Sequence, residues 1–168
     1  MIRDIVKRLE PLTPKSKLII FGGGYSGQRI ASVGRYLGVK VLCSRRKKNS
    51  QGADFIFDYN TKLSNEILEG ATHVLSCIPP SSSGKDPVLS NLKDQLLSSK
   101  DLKWVGYLST TGVYGDTKGA WVNENSTPNP TQNRSIRRLS CEKEWLETKL
   151  PLQILRLPGI YGPGRSAF

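Results

Sequence analysis

Short apolar runs alternate with longer stretches of helical spacing along almost the whole chain after Lys17. Lys17 to Phe21 is a compact apolar run that stops at Gly22-Gly23-Gly24, and beyond it the period changes from strand-like to helix-like. Ile30, Val33, Tyr36 and Leu37 then recur at three- and four-residue steps, which predicts a helix burying that face. Gly38 stands where a C-terminal cap belongs. Val39 to Cys43 predicts a second strand, Phe55 to Phe57 a third, Leu63 to Leu68 a short helix, and Thr72 to Ile78 a fourth strand halted by Pro79-Pro80. Asp86 before Pro87 reads as an N-cap followed by proline at the first helical position, and Val88, Leu89, Leu92 and Leu96 give that helix its apolar stripe. Trp104 to Ser109 predicts a fifth strand, followed by a polar loop rich in Gly, Asn and Pro as far as Pro130. From Thr131 the spacing of Ile136, Leu139, Trp145 and Leu146 predicts a helix that stops before Pro151, and Leu152 to Leu157 a sixth strand.

Strands and helices alternating in this way, joined by right-handed crossovers, make an α/β fold. The expected architecture is a three-layer, doubly wound Rossmann fold, its parallel sheet of about six strands covered on both faces and ordered 3-2-1-4-5-6. A chain of 168 residues is long enough for one domain burying roughly 70% of its unfolded surface without a metal or disulfide staple. We therefore expect a basic N-terminal segment, residues 1–16, and a single domain over 17–168.

No apolar run approaches the ~20 residues of a membrane helix, so no membrane association is expected. Met1 to Lys17 is basic, broken by Pro11 and Pro14, and lacks the apolar core of a secretory signal, which places the protein in the cytoplasm. Cys43, Cys77 and Cys141 are an odd number without CxxC spacing, so neither a zinc site nor a disulfide framework is expected. They read as small, reduced hydrophobes.

Charge adds a preference for anionic partners. Lys and Arg number 25 against 14 Asp and Glu, a formal net charge of +11, which draws anions toward the surface. The densest clusters are Arg45-Arg46-Lys47-Lys48 and Arg134 to Arg138. No helix-turn-helix, zinc or aromatic-platform signature accompanies the charge, so nucleic-acid binding is not expected.

The chemistry concentrates at the first turn. Gly22, Gly24 and Gly27 form GxGxxG directly after a strand and directly before a helix, the context in which the pattern marks a dinucleotide site. The first glycine permits the tight turn, the second lets the backbone approach a pyrophosphate, and the third allows close helix-to-strand packing. Backbone amides near Tyr25 and Ser26 then face the phosphates. A glycine turn that merely packs tightly is the competing reading. NAD sites place Asp or Glu at the end of the second strand, ~20 residues past the glycines. Here that position holds Ser44, Arg45 and Arg46, which would repel nothing on a 2′-phosphate and favours NADP, with NAD the alternative. The same residues also read as a solvated charge run. Asp58 is a candidate acceptor for the adenine amino group or a plain turn former. Pro79, with Pro80, is a candidate wall near the nicotinamide or a strand terminator.

Three motifs arrive in a recognisable order: Gly22 to Gly27, then Leu108-Ser109-Thr110-Thr111-Gly112-Val113-Tyr114-Gly115, then Arg156-Leu157-Pro158-Gly159-Ile160-Tyr161-Gly162-Pro163-Gly164. With them the chain resembles an extended or atypical short-chain dehydrogenase/reductase of the NAD-dependent epimerase/dehydratase type, and the likeness covers nearly everything after Lys17. GxGxxG rather than TGxxGxxG points to the atypical branch. The resemblance implies a dinucleotide cofactor and a nucleotide sugar or related carbonyl substrate. It also implies a positioning hydroxyl four residues before the Tyr of VYG, which is Thr110, with Ser109 its neighbouring candidate.

The family's acid/base pair, Tyr and Lys of YxxxK, is missing. Registering Glu142 with the Glu that commonly follows that motif places Arg134 at the Tyr position and Arg138 at the Lys position. An arginine keeps its proton throughout the working pH range, so Arg134 cannot relay one, although Arg138 can hold ribose or phosphate oxygens. Tyr114 and Tyr161 are alternative phenols or packing aromatics. The family continues past the GPGR segment into a C-terminal substrate domain that this sequence does not contain. Strand six is then expected near an uncovered edge, which predicts self-association, a partner chain or a truncated product. Two functions stay open: the cofactor half of an epimerase, dehydratase or reductase, and a non-catalytic dinucleotide-binding or redox-sensing module.

Overall fold

The computed structural model describes residues 12–47, 52–58, 60 and 63–166; Lys48 and residues 1–11 of the basic segment lie outside them. Six strands form one parallel sheet: β1 (Lys17–Phe21), β2 (Lys40–Arg45), β3 (Phe55–Ile56), β4 (His73–Ser76), β5 (Trp104–Thr110) and β6 (Leu152–Leu157). Their order is β3-β2-β1-β4-β5-β6, the expected doubly wound arrangement. The helices are α1 (Tyr25–Tyr36), α2 (Asn65–Leu68), α3 (Pro87–Ser98) and α4 (Asn133–Glu147), with a 3₁₀ turn at Thr111–Tyr114.

The central strand β1 is buried along its whole length, which is why it reads as a continuous apolar run rather than an alternating one. Leu18 and Ile20 pack on one face with Ala31, Val41 and Leu75. Ile19 and Phe21 pack on the other with Leu92, Val105 and Trp145. Each such side chain taken fully out of water contributes about 1.5–3 kcal/mol, so the middle of the sheet anchors the turn that leaves it at Gly22.

The stripe predicted for α3 is buried as expected. The Asp86 carboxylate accepts from the Val88 and Leu89 amides at 2.9 and 3.0 Å, and Val88, Leu89, Leu92 and Leu96 are in the core.

The face predicted for α1 is wrong. Gly27, Ala31 and Gly34 point at the sheet, while Ile30, Val33, Tyr36 and Leu37 face outward, Tyr36 with 91% of its surface exposed. The reason is distance. A Cβ on Gly27 would lie 2.2 Å from the Gly22 carbonyl oxygen, and one on Gly34 would lie 2.9 Å from Val41 Cγ2. The helix lies so close to β1 and β2 that only small residues fit between them, and an apolar period cannot reveal that. Gly27→Ala is therefore expected to destabilise the fold by at least about 1–3 kcal/mol through overpacking against backbone. Tyr36→Lys should stay within about 0.5 kcal/mol of the parent. Urea denaturation of both variants checks the assignment of the two faces.

The α4 stripe also needs correction. Trp145 is buried, but its companions on the inner face are Ser135, Cys141 and Glu142, whereas Ile136 and Leu146 are exposed. Glu142 and Cys141 can occupy that face because Glu142 accepts from Ser109 and Arg156 and the Cys141 thiol donates to the Gly84 carbonyl.

Coverage of the sheet is less even than expected. The α2, α3 and α4 residues join one core cluster. On the opposite face α1 is the one helix among the described residues that packs against the sheet, leaving Trp104, Leu155 and Leu157 partly buried beside it. β6 is an edge strand, and each of its residues is only partly buried. Among the described residues no helix is long and apolar enough to cross a membrane.

Candidate functional site

A cavity of about 820 Å³ opens at the C-terminal ends of β1, β2, β4 and β5, where the strand order of a doubly wound sheet reverses and ligands find a crevice. The glycine turn forms its floor. Gly22 adopts φ +101°, a conformation that glycine reaches without strain, and its N–H donates to Ser44 Oγ at 3.0 Å. The Gly23 N–H donates to the Ser44 carbonyl at 2.7 Å. Ser44 thus ties the end of β2 to the turn and is itself buried.

Gly23, an x position of the motif, is as constrained as Gly22. A Cβ there would lie 2.9 Å from both Cys43 Sγ and the Ser44 carbonyl oxygen. Gly24 is the opposite case, since an added Cβ would meet nothing within 4 Å. Tight packing below and open space above is the shape a pyrophosphate requires of this loop. The residues present therefore fit a dinucleotide.

Tyr25, Ser26 and Gly27 continue the lining into α1, and Arg45, Arg46, Asp58 and Pro79 complete the part of the wall legible from sequence. Asp58 Oδ1 accepts from the Asn60 amide at 2.9 Å, the geometry of a turn former. Sequence reasoning missed Arg165, which also lines the cavity; its place in the GPGR segment was the available signal. With Lys47 and Arg138 the lining holds, among the described residues, five cations against one carboxylate, Asp58.

The catalytic candidates separate. Ser109 reaches the cavity, but its hydroxyl donates to Glu142 Oε1 in a short hydrogen bond. Thr110 does not line the cavity; it caps the 3₁₀ turn, its Oγ1 accepting from the Gly112 amide at 3.1 Å. Behind Ser109 lies a buried network. Arg156 Nη2 pairs with Glu142 Oε2 at 2.7 Å, and Arg156 Nη1 donates to the Tyr114 hydroxyl at 2.9 Å. Hydrogen bonds to Glu142 raise the Arg156 pKa further above its ordinary value, so the guanidinium is permanently charged. Tyr114 is committed to this network, and Tyr161 is largely exposed away from the cavity.

The two arginines registered on YxxxK differ as well. Arg134 is exposed and donates to Gln132 Oε1 at 2.8 Å. Arg138 lines the cavity and donates from Nη1 to the Leu108 carbonyl at 3.0 Å, the Tyr107 hydroxyl at 3.2 Å and the Ile78 carbonyl at 3.3 Å. Tyr107 cannot serve as a substitute phenol, because burial holds its pKa well above the ordinary tyrosine range. Burial likewise pushes the thiol of Cys77, on the cavity wall, up to about 12, which keeps it protonated and unreactive.

No protein-family model matches the chain, and no curated protein does. Solved structures do. A functionally unknown conserved protein from Silicibacter pomeroyi is 38% identical over 89% of this chain and 55% of its own, with a TM-score of 0.81. A protein from Methylobacillus flagellatus assigned as an NAD-dependent epimerase/dehydratase is 28% identical over 92% of this chain and 57% of its own, with a TM-score of 0.73. The fold is shared, at 23% identity and a TM-score of 0.68, with the UDP-glucuronic acid 4-epimerase of Bacillus cereus, solved in complex with NAD; the match covers 87% of this chain and 57% of that one. The chain spans little more than half the length of these proteins. Its strand order and these likenesses show a Rossmann fold similar to that of NAD-dependent epimerase/dehydratases.

Proposed function

We propose that residues 17–168 form the NADP-preferring cofactor domain of an epimerase, dehydratase or reductase acting on a nucleotide sugar or related carbonyl compound. One observation carries the cofactor reading: Arg45, Arg46 and Lys47 line the cavity at the end of β2, where no carboxylate stands. A carboxylate there would accept from a ribose 2′-hydroxyl and repel a 2′-phosphate, and guanidinium groups invert that preference. Arg45 Nε is buried without a hydrogen-bond partner among the described residues, so a nearby phosphate oxygen would also satisfy a group otherwise left unpaired.

Calorimetric titration with NADPH and with NADH tests this directly. Tighter NADPH binding is expected. Arg45→Ala should weaken NADPH by about tenfold to a hundredfold, the equivalent of one Arg–phosphate bond, and leave NADH nearly unchanged. Equal losses for both cofactors would remove Arg45 from the selection.

When bound, a nicotinamide supplies the hydride-transfer chemistry; the chain itself must position the reacting oxygen. The two candidate hydroxyls divide the requirements: Ser109 reaches the cavity but its hydrogen is committed to Glu142, whereas Thr110 keeps its own hydrogen, since Oγ1 accepts from Gly112, but does not line the cavity.

A second reading, a dinucleotide-responsive module without catalysis, is favoured by a different observation. Neither register position delivers a phenol, and Arg138 is held by three oxygens already in place. Single-turnover oxidation of bound NADPH by a nucleotide-sugar carbonyl separates the two readings. Tight binding with no turnover supports the module.

A further inference from the structure

The segment after β6 folds back onto the start of α1. Gly162 and Arg165 exchange hydrogen bonds, Gly162 N–H to the Arg165 carbonyl at 2.9 Å and Arg165 N–H to the Gly162 carbonyl at 2.8 Å. Between them Pro163 is followed by Gly164 at φ +74°, the residue pair that a type II turn calls for. The turn is fastened to the cofactor helix at several points. Arg29 Nη2 donates to the Pro163 carbonyl at 2.9 Å and Arg29 Nη1 to the Tyr25 carbonyl at 3.1 Å. The Tyr25 hydroxyl closes against Gly162, where a Cβ would lie 2.4 Å from it.

The Tyr25 ring is flanked by two guanidinium groups, Arg29 at 3.4 Å and Arg165 at 5.5 Å from its centroid. Of the two, Arg165 lines the cavity beside Gly22 to Gly27. Its charge therefore stands at the cavity wall, carried by a turn closed by two backbone hydrogen bonds and beside an aromatic face. The amides at the start of α1 and Arg165 both border the space over the glycine turn.

We infer that Arg165 is a pyrophosphate ligand, a clasp that holds the phosphates of the dinucleotide against the start of α1. This rests on the dinucleotide reading of the same cavity. A guanidinium offers two parallel donors to phosphate oxygens, and the amides alone provide a modest share of anion binding at an exposed helix start. The clasp differs in its chemistry from Arg45. Pyrophosphate is common to NADH and NADPH, so Arg165 contributes to both alike and selects neither.

The experiment is calorimetry of the parent chain and Arg165→Gln with NADPH, NADH and ADP-ribose, alongside circular dichroism and thermal melts of the free proteins. Arg165 is exposed, so the free variant should melt with the parent. All three ligands, which share the pyrophosphate, should weaken by a similar factor of about tenfold or more, with a shallower dependence of affinity on salt. Unchanged affinities would overturn the clasp while leaving the dinucleotide site intact, as would a loss confined to NADPH, which would place Arg165 on the 2′-phosphate. Failure of the parent chain to bind any of the three would overturn the dinucleotide reading itself, and the clasp with it.

Discussion

Gly24→Val is expected to abolish dinucleotide binding, a loss of at least about a hundredfold, in a protein that remains folded. The position separates ligand from fold more cleanly than its neighbours do. A Cβ at Gly24 points into open space, so a valine would project into the cavity where the phosphates belong instead of into protein. The backbone tolerates it: Gly24 has φ −72° and ψ −158°, extended values open to any residue. Gly24 is also the N-cap of α1 and makes no side-chain cap hydrogen bond, so the stability cost should stay within about 1 kcal/mol. Titration with NADPH followed by a thermal melt decides the matter. Retained affinity would take the glycine turn out of the binding site, whereas loss of both binding and the native spectrum would mean that Gly24 serves the fold.

Glu142→Ala should produce the largest loss of stability. Glu142 has 1% of its surface exposed, accepts from Ser109 and pairs with Arg156 through Nη2 at 2.7 Å and Nε at 3.2 Å. Truncation strands a largely buried guanidinium and a buried hydroxyl together. Breaking one side of a buried ion pair costs about 3–5 kcal/mol, which at ~2–4 °C per kcal/mol for a chain of this size lowers the melting temperature by roughly 6–20 °C. The charge pair is not itself the source of stability, since desolvation offsets most of its Coulomb attraction. The double variant Glu142→Leu/Arg156→Met should therefore recover much of the loss. A single-variant shift within about 2 °C would show that the network contributes little.

These two positions also mark how far the sequence could be read. Gly24 was legible because the turn is a local device, its spacing fixed by a strand end and a helix start a few residues apart. Glu142 was legible only as a landmark for aligning a missing motif. Its partners Ser109 and Arg156 lie 33 and 14 residues away along the chain, and only the packing of α4 against β5 and β6 brings them together. Ser109 was read as a neighbour of the reactive hydroxyl for the same reason, because a sequence does not show where a hydroxyl points. The Arg165 turn went unnoticed as part of the cavity although its Pro-Gly pair was plain, since nothing local says that the chain folds back on Tyr25.

By itself, the sequence determined the alternation of strands and helices, the parallel order that follows from it, the glycine turn and the cationic end of β2. Each depends on residues near one another in the chain or on the handedness of the connections. Tertiary structure alone decided which face of α1 is buried, since Gly27 and Gly34 let the helix approach closer than its apolar stripe would have allowed. It also decided that α4 buries a polar face, that Ser109 is bound to Glu142, and that Arg138 and Arg165 line the cavity with the glycine turn. Those outcomes depend on distances between elements, which side-chain volume and hydrogen bonding settle only once the layers have packed.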